Sequence, residues 1–176
     1  PIGLSYLLMP PKLDKVEVLE TIVLQPNIDP YEEKYQNSDF EIAQQLITQL
    51  EPHLKFNEQQ LILAPETVFA QGTELKNYKQ SAAKFFANQV LSHNPQAKLV
   101  SGISAYRLLR DVSETSIQSN KVREGLWYND FNSAVFESVD TTDFYHKSKL
   151  VVGVENFPYK ALLEPVLGNI MLDLGG

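Results

Sequence analysis

The sequence contains no cysteine. The chain itself therefore has no disulfide framework, no thiolate zinc site and no thiol nucleophile. Basic residues are also few, because 15 Lys and Arg stand against 22 Asp and Glu and leave a formal net charge of −7. They form no cluster, which excludes the basic face of a nucleic-acid binder and the polybasic segment of a membrane-surface protein. The histidines lie far apart in the sequence, at His53, His93 and His146, so we predict no metal site.

Long hydrophobic runs are absent as well. The opening segment, residues 2–9, is apolar but much shorter than the roughly 20 residues of a membrane-spanning helix, and it lacks the basic residues that open a secretory signal. Two interpretations stay open: a terminal strand or leader, and the last turns of a transmembrane helix that begins earlier. The chain ends on a glycine pair, which is typical of a turn that leads into further structure. We therefore interpret the sequence as a fragment, with an apolar stub and linker at residues 1–17 and part of a larger domain at residues 18–176.

What the sequence does contain is an alternation of apolar runs and amphipathic segments, and hydrophobic residues make up 43% of it. A capping-box pattern at Ser38 and Glu41 opens a helix whose apolar residues recur at helical spacing up to Pro52. A second helix is predicted from Thr73 to the SHNP stop at residues 92–95. Strands, the first of them buried, are predicted at residues 19–26, 60–66 and 98–104, and a polar excursion is predicted at residues 104–127.

Two later segments, FNSAVFES and TTDFYHKSKL, alternate in character and are close enough to pair as a hairpin across Asp140. The resulting order is strand–helix–strand–helix–strand followed by an antiparallel pair. It predicts an α/β fold in which helices cover a mixed sheet. In such folds the chemistry gathers at the carboxyl ends of strands.

Two charged side chains stand at such strand ends. Glu66 follows the predicted strand QLILA and has the position of a general base, although a carboxylate there is more often a solvated loop residue. Lys147 stands at the end of the last strand, where it is placed to stabilise an oxyanion, although lysines are also common on exposed edge strands. Lys149 lies two residues further on the same strand face, so spacing alone does not choose between the two lysines.

Two further polar residues accompany these charged groups. Asn132 lies among apolar neighbours in FNSAVFES, where it either bonds a backbone group or helps to form a site. Glu155 follows Gly153 in the loop GVENFP. It is either a solvated carboxylate or an acid that orients the lysine.

Five segments share their order and spacing with a known domain. They are LQPNIDPYEEKY, LILAPETVFA, LVSGISAY, YNDFNSAVF and FYHKSKLVVGVENFP. Together they resemble the carbon–nitrogen hydrolase (nitrilase-like) domain, in the variant found in bacterial apolipoprotein N-acyltransferases, over residues 19–167. The most specific parts are P-E-T at residues 65–67 and the Y-x-K-x-x-L-V-x-G-x-E-like stretch at residues 145–155. The resemblance implies a nitrilase-like α-β-β-α sandwich, incomplete at the C-terminus.

The resemblance also implies roles for the candidate residues, since the family works through a Glu–Lys–Cys triad without a cofactor. By the match of motifs, Glu66 takes the place of the general base and Lys147 that of the oxyanion-stabilising lysine, whereas Lys149 falls where the family varies. Glu155 matches a second acidic residue, and Asn132 matches an asparagine that helps to position the site. The family's cysteine follows a further strand, so the resemblance places the nucleophile beyond this chain and implies that the chain alone is inactive.

The function implied by the resemblance is transfer of a fatty acyl chain from a phospholipid to the N-terminal amine of diacylglyceryl-cysteine on a lipoprotein. That reaction implies the periplasmic side of the bacterial inner membrane, with membrane contact made by regions outside this chain. Residues 2–9 match the end of the transmembrane bundle that precedes the domain in these acyltransferases. Two alternatives stay open: a soluble nitrilase-type amidase that uses water on a small amide, and a non-catalytic domain of the same fold.

Overall fold

Distant segments of the chain pair into one mixed sheet in the computed structural model, which describes residues 18–27, 37–116 and 119–148. Within those residues the sheet has seven strands, and the α-helices lie between the earlier strands in the sequence. The strands are β1 (Glu20–Val23), β2 (Gln60–Leu63), β3 (Phe69–Glu74), β4 (Lys98–Leu109), β5 (Asn120–Arg123), β6 (Leu126–Glu137) and β7 (Thr142–His146). The helices are α1 (Asp39–Leu50) and α2 (Ala82–His93), with 3-10 helices at Glu51–His53, Leu75–Gln80 and Val112–Glu114.

The sheet runs in the order β1–β2–β4–β6–β5, with β3 also paired to β4 and β7 also paired to β6. β1, β2 and β4 are parallel, as is β3 to β4, whereas β4, β5 and β7 each run antiparallel to β6. Parallel neighbours need long crossover connections, which the helical segments provide, and antiparallel neighbours need only turns. The structure thus confirms the mixed α/β class and the hairpin across Asp140.

The first helix begins and buries its apolar face as the sequence predicts. The Ser38 hydroxyl accepts the Glu41 N–H at 3.2 Å, and the Glu41 carboxylate accepts the Ser38 N–H at 2.7 Å. This capping box satisfies donors that the first turn of a helix leaves without partners. Ile42, Leu46 and Leu50, spaced at helical intervals, are completely buried.

The second helix begins later than predicted. Thr73 lies in β3, where it pairs with Ala105 of β4, and a 3-10 helix at Leu75–Gln80 follows. Helix α2 starts only at Ala82, after the N-cap Ser81. The apolar spacing suggested one continuous helix because residues three apart share a face in a 3-10 helix, much as they do in an α-helix.

Two strand predictions were also wrong. The predicted polar excursion at residues 104–127 contains strand residues, because β4 continues to Leu109, which pairs with Trp127 of β6, and β5 lies at Asn120–Arg123. An antiparallel ribbon can expose one face to water, so its polar residues do not end it. The first strand is not buried, since Val23 is 72% exposed. β1 is the outermost strand on its side of the described sheet.

The hydrophobic core lies between the helices and one face of the sheet. Alternation along β6 identifies that face, because Ser133, Val135 and Glu137 are buried whereas Asn132 and Ala134 are partly exposed. The completely buried side chains of the core include Ile42, Leu46, Leu50, Ile62, Phe86, Leu99 and Ile103. Asn132 therefore projects from the opposite face.

Three of the predicted features lie outside the described residues, namely the apolar stub at residues 1–17, the alternative lysine Lys149, and Glu155. The predicted boundary between residues 17 and 18 accordingly stays a prediction. Among the helices that the structure describes, none has both the length and the apolar character needed to cross a bilayer.

Candidate active site

Glu66 lies in a turn, residues 65–67, that follows β2 and rests on β4. The turn is attached to β4 by the Gly102 N–H, which donates to the Pro65 carbonyl at 3.1 Å. Thr67 has a φ of 51°, a left-handed conformation that is costly for a β-branched residue. The chain therefore adopts a strained backbone directly beside the predicted general base.

Gly102 allows the turn to approach β4 this closely. A Cβ atom at this position would lie 2.2 Å from the Thr67 nitrogen and 2.6 Å from the Pro65 oxygen. Both neighbours are backbone atoms, so neither can swing aside as a side chain would. A glycine inside a predicted strand is the sequence signal for such an approach, and sequence reasoning missed it here.

We expect Gly102→Ala to push the turn away from β4 and to lower the free energy of unfolding by about 1–3 kcal/mol, the usual cost of overpacking. Urea unfolding measures this change. Gly125→Ala is the control, because Gly125 has a φ of 72° but no atom within 4 Å of the place that a Cβ would occupy. Gly125→Ala should lower the free energy of unfolding by about 1–2 kcal/mol because of its backbone conformation alone, and it should leave the Glu66 turn in place. A Gly102→Ala protein as stable as the wild type would contradict the close approach.

Glu66, Asn132 and Lys147 meet beside this turn. Lys147 Nζ lies 3.1 Å from Glu66 Oε1, although the two residues are 81 positions apart in the sequence. Asn132 Nδ2 donates to the same oxygen at 2.7 Å. The structure therefore brings together three of the four predicted site residues, and Glu155, the fourth, lies outside the described part of the chain.

The sheet order explains why these residues meet. β4 separates β2 from β6, and the turn after β2 rests on Gly102 of β4. Asn132 lies on β6, opposite Ser104 of β4. Lys147 directly follows β7, and its N–H donates to the Asn132 carbonyl at 2.9 Å. Asn132 thus contacts Lys147 through its main chain and Glu66 through its side chain.

Thr67 fixes the orientation of the Asn132 amide. Its hydroxyl donates to Asn132 Oδ1 at 3.3 Å, which directs Nδ2 of the same amide toward Glu66. An amide offers an acceptor on one side and donors on the other, so this pairing assigns both ends. Thr67 belongs to the P-E-T motif, but the sequence predicts no role for it, because only the fold shows that it faces Asn132.

The charged pair is partly accessible to solvent, with 65% of the Glu66 side chain and 30% of the Lys147 side chain exposed. An ion pair this exposed stabilises a protein by about 0–1 kcal/mol. Chemically, however, the pair combines a carboxylate that can accept a proton with an ammonium group that can stabilise negative charge, about one hydrogen-bond length apart. That combination suits acyl transfer.

The contacts of Glu66 also bear on metal binding. Its described partners, Asn132 Nδ2 and Lys147 Nζ, are hydrogen-bond donors and not cation ligands. Across residues 18–27, 37–116 and 119–148, no group of three or more His, Cys, Asp or Glu side chains is placed to hold a metal ion.

A second polar pair lies on the reverse side of the sheet. Ser133 and His146, which are the sequence neighbours of Asn132 and Lys147, place Ser133 Oγ 2.7 Å from His146 Nδ1. The imidazole stacks on Phe131, with 4.4 Å between the ring centroids. Burial, together with a smaller contribution from the positive charge of a nearby arginine, lowers the pKa of this histidine below 6.5.

The lowered pKa of His146 predicts a pH dependence of stability. In the unfolded chain His146 takes up a proton near the ordinary histidine pKa of 6.5, and in the folded chain it does so only at lower pH. The stabilising contribution is therefore fully present above that value and is lost as the pH falls through the folded pKa. Urea unfolding between about pH 7 and about pH 5 should show the wild type losing stability relative to His146→Phe. An NMR titration of His146 with a midpoint above 6.5 would overturn this prediction.

Another carboxylate, Glu137 at the far end of β6, was missed by sequence reasoning. It is completely buried and accepts hydrogen bonds from Tyr78 Oη at 2.7 Å, Lys84 Nζ at 2.7 Å and Thr142 Oγ1 at 2.9 Å. These contacts join α2, the preceding 3-10 helix and the β6–β7 hairpin. Glu137 lies five positions from Asn132 along β6 and on the opposite face of the sheet, so it belongs to the core and not to the site around Glu66.

Comparison with known proteins does not assign the chain to a family. No protein-family model matches the sequence, and no curated protein shows significant similarity to it. The functional interpretation therefore rests on the motifs of the sequence and on the geometry of Glu66, Asn132 and Lys147.

Proposed function

We propose that this chain supplies the general base and the oxyanion-stabilising lysine of an apolipoprotein N-acyltransferase. The reaction moves a fatty acyl chain from a phospholipid to the N-terminal amine of diacylglyceryl-cysteine on a lipoprotein. The observation that carries the proposal is the 3.1 Å contact between Glu66 Oε1 and Lys147 Nζ. These are the two residues that the family motifs assign to catalysis, and they come from distant parts of the chain.

The supports of Glu66 favour a functional role over a structural ion pair. The turn contains a left-handed threonine, rests on a glycine where a Cβ would press on the turn's backbone, and faces an asparagine oriented toward the carboxylate. An exposed ion pair repays little of that backbone strain in stability. Strain of this kind is concentrated at functional sites, where side chains must be held in one place.

The proposed mechanism starts from a cysteine thiol, which must come from outside these 176 residues because the chain has no cysteine. Glu66 takes the thiol proton, and the thiolate attacks the ester carbonyl of the phospholipid. Lys147 stabilises the tetrahedral oxyanion. When the intermediate collapses, the carbon–oxygen ester bond breaks and the lysophospholipid leaves with the proton from Glu66. A thioester remains on the cysteine.

The second half of the reaction reuses the same two side chains. The lipoprotein amine attacks the thioester and gives its proton to Glu66, while Lys147 again stabilises the oxyanion. The carbon–sulfur bond then breaks, the amide product leaves, and the proton returns to the thiolate sulfur. This sequence gives ping-pong kinetics, in which the amine replaces the water used by hydrolases.

The exposed face of the sheet favours the finer fold assignment, a nitrilase-like α-β-β-α sandwich. Helices cover one face of the described sheet, and the other face carries Asn132. On that other face Phe136 is only partly buried and Tyr145 is 67% exposed. In a sandwich of this type a second sheet packs on that face. The lipoprotein substrate of the proposed reaction separately implies that the reaction takes place on the periplasmic side of the bacterial inner membrane.

The test uses a longer protein that contains this chain together with a downstream cysteine. We expect it to transfer a labelled acyl chain from phospholipid to a diacylglyceryl-cysteine peptide and to leave small amides intact. Hydrolysis of small amides without transfer would favour the amidase. A parent reading frame with no cysteine at the end of an apolar strand beyond Gly176 would instead favour a non-catalytic domain.

The 176-residue chain alone should form no acyl-enzyme, because it has no thiol to carry the acyl group. Intact-mass measurement after incubation with phospholipid checks this expectation, with the longer protein as the positive control. A stoichiometric gain of one acyl chain on the short protein would contradict the proposed nucleophile.

A further inference from the structure

Ser133 and His146 form a hydrogen-bonded pair directly behind the proposed site. They are opposite each other in the β6–β7 register, with 2.7 Å between Ser133 Oγ and His146 Nδ1. Their sequence neighbours, Asn132 and Lys147, are joined by the backbone hydrogen bond of 2.9 Å. Strand alternation places the Ser133–His146 contact on the helix-facing side of the sheet and Asn132 on the other side.

The position of the pair in the β6–β7 ladder is informative. Ser133–His146 is the last pair of that ladder, and Lys147 is the first residue after it. A serine that is only 3% exposed needs a partner, but an apolar pair of similar shape would serve stability equally well. A hydrogen bond at this place additionally fixes where β7 ends, and therefore where the chain leaves the sheet at Lys147.

We propose that Ser133 and His146 are positioning residues that hold the end of β7 against β6 and so keep Lys147 Nζ beside Glu66. The catalytic meaning of this role rests on the proposed function. Neither residue touches substrate, because both act from the buried side of the sheet. Without their hydrogen bond, Lys147 occupies a wider range of positions and meets Glu66 less often.

Two pairs of variants separate the hydrogen bond from packing. Ser133→Ala removes the hydroxyl, and His146→Phe removes the nitrogen but keeps a ring on Phe131. Ser133→Thr restores a hydroxyl, and His146→Asn restores a polar atom at the place of Nδ1. A role in positioning predicts that Ser133→Ala and His146→Phe impair the Glu66–Lys147 contact and that Ser133→Thr and His146→Asn restore it, when all four are compared at a temperature at which they are folded.

The readout is a zero-length carbodiimide cross-link between Glu66 and Lys147, measured by peptide mass spectrometry on the 176-residue chain. The Glu20–Lys55 ion pair, at 2.8 Å, serves as the internal standard. We expect the rate of the Glu66–Lys147 cross-link, relative to the standard, to fall about tenfold in Ser133→Ala and His146→Phe, since a displacement near 1 Å has large effects on reaction rates. Unchanged relative rates in both variants would overturn the proposal.

Kinetics in the longer protein separate this proposal from the proposed function. If both are right, Ser133→Ala and His146→Phe lower kcat about tenfold with KM unchanged, and the Thr and Asn variants recover it. A wild-type protein that transfers no acyl chain, together with a reduced cross-link rate in the variants, overturns the proposed function and supports the positioning role. Normal kcat in both impaired variants overturns the positioning role alone.

Discussion

Replacing Glu66 with Gln in the longer protein is expected to lower the kcat of acyl transfer by about 10²–10⁴-fold, because an amide cannot take the proton from the thiol or the amine. Lys147→Ala should lower kcat by about 10²–10³-fold, since it removes a donor to the oxyanion. The pair is partly exposed, so the free energy of unfolding should change by only about 0–1 kcal/mol. Steady-state kinetics and urea unfolding measure the two effects.

The Glu20–Lys55 pair provides the matched control. It also joins a carboxylate and an ammonium group from distant parts of the chain, with side chains 40% and 50% exposed. Glu20→Gln and Lys55→Ala should therefore leave kcat unchanged. Near-normal turnover of Glu66→Gln or Lys147→Ala would remove that residue from the mechanism, and an equal loss in the control pair would point to a general effect of charge.

The second large effect concerns stability and Glu137. Glu137→Ala should lower the free energy of unfolding by about 3–5 kcal/mol, because it leaves the largely buried Lys84 ammonium and the Tyr78 hydroxyl without their acceptor. Burial of the Tyr78 hydroxyl, and to a smaller extent the neighbouring Glu137 carboxylate, raises the pKa of Tyr78 well above its usual value of 10. Urea unfolding measures the loss of stability.

A double substitution distinguishes a lost partner from a lost side chain. Glu137→Leu with Lys84→Met removes both charges and keeps the volume, so it should recover much of the stability that Glu137→Ala loses. If the free energy of unfolding of Glu137→Ala lies within about 1 kcal/mol of the wild-type value, the carboxylate is not buried as the structure shows. Kinetics at a temperature where the variant is folded should be unaffected, because Glu137 lies outside the proposed site.

The features predicted well from the sequence have local signals. The Ser38–Glu41 capping box is one, and it sets the start of α1. Glu66 and Lys147 each follow a strand, and side chains at strand ends collect at one edge of a sheet. The match to the family motifs, and not their position alone, selects Glu66 over a solvated loop residue and Lys147 over Lys149. The structure places these two side chains in contact, while their roles in catalysis stay predictions.

The features that were missed depend on contacts between distant segments. Thr73 was assigned to a helix because its pairing with β4 is not visible in local spacing. Gly102 and Ser133 gained their significance only from the residues across the sheet, the Pro65–Thr67 turn and His146. Register between strands decides such contacts, and a single residue of slip would place every side chain on the opposite face.

Carbodiimide cross-linking of the wild-type chain shows whether Glu66 and Lys147 share one site. We expect an amide-linked peptide that joins the segment containing Glu66 to the segment containing Lys147, and we expect this peptide to be absent from Glu66→Gln. The Glu20–Lys55 cross-link in the same sample shows that the chemistry has worked. Recovery of the Glu20–Lys55 link without any Glu66–Lys147 link would mean that Glu66 and Lys147 do not share a site.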